Sequence, residues 1–270
     1  MTNKDALVVI PDNLEAVIEK AWRSAQRTTG FLGENEARFL GMLAACVPAH
    51  GAIVEIGSFK GKSTVMLATV AAHYGLGPVV AIDPHTAPSA TDPAIAAGAS
   101  TFKEFVASVR NAGVAEHVEV QRAYSREVAK GWNRPIRLLW IDGDHTYHGA
   151  KEDFDLFAAH LVRGGVVALH DTLNAFEGPI RVFVEEILRS DRFGPAGVVQ
   201  STAWGQFRPE DGAEFREQRG DLERRARRMV PFVKDGRRVK GWRKMAYKLA
   251  RSRVPRAAVS AADWAAMVSQ

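Results

Sequence analysis

The chain has 270 residues, 46% hydrophobic and 25% charged, enough to bury one α/β core with appendages. The single cysteine, Cys46, excludes an internal disulfide and a multi-cysteine zinc site, and its apolar setting, MLAACV, points to a buried structural thiol. The net charge of +5 is unevenly spread: residues 208–256 carry 17 Lys and Arg against 7 Asp and Glu, whereas residues 1–207 carry 19 against 23. The basic character belongs to the tail, and a mildly acidic body argues against nucleic acid as a partner.

The N-terminus, MTNKDALVVIPDN, lacks the basic start and long apolar centre of a secretory signal, and no apolar run reaches the length of a membrane span. A cytoplasmic location is the expectation. Asp12 is placed to cap a first helix running to about Gln26, and residues 33–46 read as a second helix stopped by Pro48. Together, residues 1–50 read as a helical cover over the sheet edge or the ligand mouth.

Residues 51–207 alternate apolar runs with helical segments. Strands are expected at 52–56, 78–82, 117–122, 136–141 and 166–169, with helices at 62–74, 101–111, 149–161 and 179–189. Residues 198–202 and 203–207 read as two closing strands. Such alternation predicts an α/β fold: a doubly wound, mostly parallel, seven-stranded sheet with helices on both faces. Ligands in such sheets sit at the carboxyl ends of the strands. The segment 86–100, TAPSATDPAIAAGAS, reads as a long loop and a candidate lid. From Arg208 the chain is basic and helix-prone, a C-terminal extension over residues 208–270.

The stretch AIVEIGSFKGKST, residues 52–64, is a strand, a glycine turn and a helix start. It matches neither G-x-x-x-x-G-K-[ST] nor G-x-G-x-x-G. What remains is an acid, Glu55, then Gly57 and Gly61, with Ser58 and Ser63 as hydroxyls for a ligand's polar end or as turn and cap hydroxyls. Glu55 lies inside a buried strand, where an acid is costly unless paired; it serves a ligand or is balanced by a nearby lysine. Asp83, at the end of the second strand, is placed to accept an adenosine's ribose hydroxyls, or to cap the turn before Pro84. Tyr124 and Ser125 follow the third strand, on the side expected for adenine.

Asp142 and Asp171 end the fourth and fifth strands. Consecutive strands are usually neighbours, roughly 4.8 Å apart, so the two carboxylates can share a hard cation. His170 is a candidate third ligand, and a nitrogen donor shifts the preference from Mg²⁺ towards Mn²⁺. The other reading has Asp142 cap a helix or pair with His145, and His170 pack inside. In the loop after Asp142, His145 is the candidate general base, with Asp144 beside it.

The motifs VEIGSFKGKST, AIDPH, LLWIDGDHTYHGAKEDFDLF and GGVVALHDT occur in that order. In combination they resemble the class I S-adenosylmethionine-dependent methyltransferases, in particular the bacterial group that includes sugar and antibiotic O-methyltransferases. The resemblance spans about residues 51–207. It implies a Rossmann-like fold, S-adenosylmethionine held by Glu55, Gly57, Ser58 and Asp83, and a divalent-metal site at Asp142 and Asp171. Where metal-dependent relatives often carry an acid followed by Asp or Asn, this chain has His170-Asp171.

The expected acceptor is a small-molecule or carbohydrate hydroxyl. A nicotinamide-dependent oxidoreductase and a non-catalytic nucleotide-binding module are the alternatives. For the tail, Trp242, Met245, Tyr247 and Leu249 interleave with Lys and Arg. That pattern suits an anionic membrane surface or polymer, a solvated helix pair, or packing on a second copy in a homodimer.

Overall fold

A computed structural model describes residues 8–86, 100–234 and 239–270. The candidate lid at 86–100 falls almost wholly outside the described residues. Five strands run parallel: β1 (Ala52–Ile56), β2 (Val79–Ile82), β3 (Val118–Gln121), β4 (Ile136–Ile141) and β5 (Leu161–Leu169). A hairpin of β6 (Phe193–Val199) and β7 (Thr202–Phe207) closes the sheet, with β7 antiparallel to β5. The order is β3-β2-β1-β4-β5-β7-β6. It reverses between β1 and β4, and at such a switch point diverging connections leave a crevice beyond the strand ends.

Both faces are covered. On one, α1 (Leu14–Ala25), α2 (Glu34–Cys46), α3 (Lys62–Tyr74) and α4 (Phe102–Asn111) bury an apolar core that includes Leu40, Leu67 and Trp140. On the other lie α6 (Tyr147–Ala158) and α7 (Glu177–Val182), which continues into a single π-helical stretch, Phe183–Leu188. The short α5 (Ser125–Ala129) follows β3.

The basic extension forms α8 (Arg216–Arg227), α9 (Val230–Val233), α10 (Gly241–Ser252) and α11 (Ala261–Val268). It is woven into the core rather than appended to it. Tyr247, Ala250 and Val254 join the second apolar cluster, and Trp264, fully buried, joins the first, 6.1 Å from the Trp204 ring.

Several boundaries depart from the sequence reading. Helix α1 starts at Leu14, with Asn13 rather than Asp12 at the cap position. The strand expected at 166–169 starts earlier, at Leu161, and Gly164-Gly165 lie inside it: Gly164 has φ 80°, and the β4–β5 register shifts between Ile136 and Leu138. The glycine pair thus forms a strand irregularity, and α6 has already ended at Ala158. The closing hairpin turns at Gln200-Ser201, with Gln200 at φ 55°, so β6 begins at Phe193. Glycines hid that strand. A Cβ on Gly197 would stand 2.8 Å from Trp204 Nε1, so a glycine is needed where the indole crosses the hairpin.

Candidate active site

A cavity of about 760 Å³ opens beyond the carboxyl ends of β1, β2, β4 and β5. Its size is that of a small-molecule site. Of the residues singled out from sequence, Gly57, Ser58, Ser63, Asp83, Tyr124, Ser125, Asp142, Asp144, His145, His170 and Asp171 line it. Glu55 and Gly61 do not.

Gly57 has φ 90°, and a Cβ there would lie 2.3 Å from the Asp142 carbonyl oxygen. The glycine lets β1 and β4 converge at the switch point, as well as turning the chain. Gly61, φ 91°, begins α3 and faces Phe105 rather than the cavity.

Glu55 is wholly buried beneath the turn. It is paired neither with a ligand surface nor with a lysine: the Thr64 hydroxyl donates to its carboxyl. Burial pushes its pKa up to about 8, so the group carries its proton at neutral pH. Glu55 thus lies behind the cavity wall rather than on it.

Asp83 ties the turn to the second strand. Its Oδ2 accepts the Phe59 amide at 2.8 Å and its Oδ1 the His85 amide at 2.7 Å. Each oxygen keeps a second lone pair for a ligand hydroxyl. The Ser58 hydroxyl, 1% exposed, has no hydrogen-bond partner among the described residues. A buried orphan hydroxyl on a cavity wall calls for a polar ligand.

At the other end of the cavity four side chains converge. His170 Nδ1 lies 3.0 Å from Asp142 Oδ1 and 3.6 Å from Asp171 Oδ1. His145 Nε2 is 3.5 Å from both Asp142 Oδ1 and Asp171 Oδ2. Phe176 stacks on the His145 ring at 4.5 Å and fixes its plane. Burial would raise the Asp142 carboxyl, but the His170 and His145 imidazoles hold it at about 2. Burial likewise opposes protonation of His170, yet the carboxylates of Asp142, Glu36 and Asp171 push its pKa well above 6.5.

Asp171 has φ 54°, the left-handed region that a non-glycine residue rarely adopts, and Asn174 Nδ2 donates to its Oδ1. Asp144 is directed elsewhere. Its two carboxylate oxygens accept the Thr146 amide and hydroxyl at 2.9 and 3.0 Å, where Thr146 caps α6. Its carboxylate serves the start of that helix.

One oxygen each from Asp142 and Asp171 and one nitrogen from His170 lie within 4.8 Å of one another. Two carboxylates and an imidazole are a donor set suited to Mg²⁺ or Mn²⁺. Glu36 Oε2 stands 3.6 Å behind His170 Nε2, the place of a carboxylate that fixes a ligating imidazole's tautomer. The residues present fit a divalent cation.

Sequence reasoning missed Glu36, which reaches the site from α2. It also missed Phe31, which stacks on Phe59 at 6.0 Å, and Asp153, whose carboxylate accepts the Ser125 hydroxyl. His85 belonged to a quoted motif but had no role assigned. It is 3% exposed, and its Nδ1 lies 2.8 Å from Thr101 Oγ1, bracing the two sides of the 86–100 segment.

Residues 54–172 match the family model described as a methyltransferase domain. That span runs from β1 to just past Asp171 and contains the turn, Asp83 and the whole acid–histidine cluster. That part of the chain, a little under half of it, is similar to a methyltransferase domain.

Solved structures share the fold. The O-methyltransferase NovP is 12% identical, with a TM-score of 0.55, covering 72% of this chain and 98% of its own. Cofactor-bound Rv0187 from MTB is 19% identical, with a TM-score of 0.51, covering 76% of this chain and 94% of its own. A Corynebacterium glutamicum protein is 17% identical, with a TM-score of 0.52, covering 72% of this chain and 91% of its own. Among the described residues no helix is long and apolar enough to cross a membrane.

Proposed function

We propose that this chain is an S-adenosylmethionine-dependent methyltransferase that acts on a hydroxyl oxygen of a sugar, a polysaccharide precursor or another natural product, with a divalent cation held by Asp142, His170 and Asp171. The observation that carries the proposal is the convergence of His145 Nε2 on Asp142 and Asp171, at 3.5 Å from each. That arrangement supports a proton acceptor working beside a cation in one corner of the cavity. The name of NovP, an O-methyltransferase of the same fold, points the same way.

S-adenosylmethionine, when bound, supplies a methyl carbon that an oxygen lone pair can attack, with the sulfur leaving as a neutral thioether. Asp83 would hold the ribose hydroxyls, and the orphan Ser58 hydroxyl and Ser63 the amino-acid end. Tyr124 and Ser125 would border the adenine. A cation at the cluster would supply Lewis acidity that lowers the acceptor hydroxyl's pKa. His145 takes the hydroxyl proton at Nε2, and the stacked Phe176 keeps that nitrogen aimed at the corner. Most of the acceleration comes from holding acceptor and methyl group aligned in one enclosed site.

The test is methyl uptake by a panel of hydroxyl acceptors, with Mg²⁺, with Mn²⁺ and in EDTA, for the native protein and Asp142→Ala. Turnover of a hydroxyl acceptor that is lost in EDTA and in the variant is expected. Turnover unaffected by either treatment removes the metal from the proposal, and methylation confined to amines or thiols removes the oxygen acceptor.

A further inference from the structure

We propose that α10, with the arginine recess beside it, docks the enzyme on an anionic phospholipid surface. Helix α10 is two-sided. Tyr247 and Ala250 are buried against the body of the enzyme. On another face Trp242, Met245 and Leu249 are 75%, 69% and 57% exposed. Their spacing of three and four residues puts them in one stripe. Among the described residues eight large hydrophobic side chains are exposed, and three of the eight form this stripe. An indole, a thioether and a leucine turned to water on one helix cost stability unless something apolar receives them.

The surrounding charge says what that is. Residues 239–256 hold seven Lys and Arg and no acid. Lys244 and Lys248, both exposed, fall by helical period along one edge of the stripe. Arg253, four residues beyond Leu249, continues it. Arg253 also lines a recess of about 370 Å³ with Arg224, Arg225 and Arg228 from the end of α8. Asp221, the fifth lining residue, pairs with Arg224 and Arg225 at 3.0 and 2.6 Å. Four guanidiniums against one carboxylate leave a positive concavity, and guanidinium geometry matches phosphate oxygens.

An apolar stripe edged by cations, continuous with a phosphate-sized basic recess, matches the layered chemistry of a bilayer interface: acyl chains inside, anionic head groups outside. A second copy of this chain is a poor occupant, because two such faces would bring seven like charges against seven.

The docking helix also touches the site. The Tyr247 hydroxyl, on the buried side of α10, accepts the Ala175 amide at 2.8 Å, and Ala175 lies between Asp171 and Phe176. A surface held by α10 therefore lies one hydrogen bond from the loop carrying the acid of the cation cluster and the ring stacked on His145. This inference rests on the tail alone and stands whatever the acceptor is.

The experiment is co-sedimentation of the full chain with phosphatidylcholine vesicles, with and without phosphatidylglycerol, over a range of salt. Expected is binding that needs the anionic lipid and weakens with salt. Lys244→Gln with Lys248→Gln should weaken it about 25-fold, about five-fold for each cation removed. Trp242→Ser with Leu249→Ser should abolish it. All four substitutions are on exposed positions, and unchanged melting temperature and S-adenosylhomocysteine binding show that the variants fold. No sedimentation with either vesicle, equal binding to neutral vesicles, or retention in the serine variant overturns the proposal. So does light scattering that finds a dimer lost in the serine variant while vesicles fail to bind, because the stripe would then be a contact between copies.

Discussion

Glu36 and His170 meet across the molecule, from the first turn of α2 to the end of β5, with Glu36 Oε2 3.6 Å from His170 Nε2. Ser201 in the β6–β7 turn donates its amide and hydroxyl to Glu36 Oε1. Burial would raise the Glu36 carboxyl, but His170 and Ser201 together hold it at about 2. An ionised carboxylate therefore stands behind the imidazole throughout the working pH range. If His170 is a ligand through Nδ1, Glu36 fixes its tautomer. Glu36→Gln should weaken Mn²⁺ binding by about 10–100-fold while leaving S-adenosylhomocysteine affinity unchanged. Titration calorimetry with each ligand separates the two, and an unchanged Mn²⁺ affinity would restrict Glu36 to holding the β6–β7 turn.

Asp83 is the corresponding control at the donor end. Its carboxylate already bridges the Phe59 and His85 amides, so it is held in place before any ligand arrives. Asp83→Asn keeps the size but gives up the charge and one acceptor. Losing one charge-assisted hydrogen bond costs about 1.5–3 kcal/mol, or about 10–100-fold in affinity for S-adenosylhomocysteine. Asp144→Asn, which alters only the cap on Thr146, should leave that affinity within about two-fold. Equal losses in both variants would mean that Asp83 acts through folding alone.

These two residues also mark how far sequence could reach. Asp83, Gly57 and the Asp142–Asp171 pair were legible because each follows from a local rule: an acid at a strand end, a glycine at a strand–helix turn, carboxylates on consecutive strands. Glu36 was not, because nothing within α2 distinguishes it from any first-turn acid. Its partners are 134 and 165 residues away, and only the fold brings them together. Glu55 stayed ambiguous for a related reason. An acid in a buried strand signals compensation, and protonation beside the Ser63 and Thr64 hydroxyls satisfies that need as well as a ligand does. The tail misled through composition: a basic average concealed Trp264 and Tyr247, which are core residues.

Asp153 makes stability depend on pH. It lies on α6 at the cavity wall, takes the Ser125 hydroxyl, and is pushed up by burial to about 6 from 3.8. Between those values the folded state holds a proton that the unfolded state has released, so stability falls as pH rises through the window. Below about 3.8 the contribution is fully present, and above about 6 it is lost. The full effect is on the order of 3 kcal/mol. Asp153→Asn should flatten this part of the profile and raise the melting temperature at pH 7–8 relative to the native chain. Urea unfolding from pH 4 to 8 tests this, and parallel profiles for the two proteins would show that Asp153 is ionised in the native state throughout.

Arg137 serves the fold rather than the chemistry, and its removal should separate the two. It is 4% exposed within β4, and its guanidinium donates to the carbonyls of Ala44, Val47 and Ala49 at 2.7, 2.9 and 2.9 Å. Those carbonyls belong to the end of α2 and the residues just after it, where the helix leaves acceptors unpaired; of the three, Val47 also takes the Ala49 amide at 2.8 Å. Burial draws the Arg137 pKa down to about 10, still far above neutrality, so the cation persists. Arg137→Met keeps much of the stem but leaves the Ala44 and Ala49 carbonyls without a donor, while Val47 keeps the Ala49 amide, which should cost about 2 kcal/mol or more. Because α2 also carries Glu36, the variant should lose Mn²⁺ affinity at temperatures where the sheet remains folded. Asp83 and the glycine turn lie on β2 and β1, so S-adenosylhomocysteine binding should survive to higher temperature than metal binding. Differential scanning fluorimetry with each ligand reads both, and loss of the two together would show that α2 and the donor site unfold as one unit.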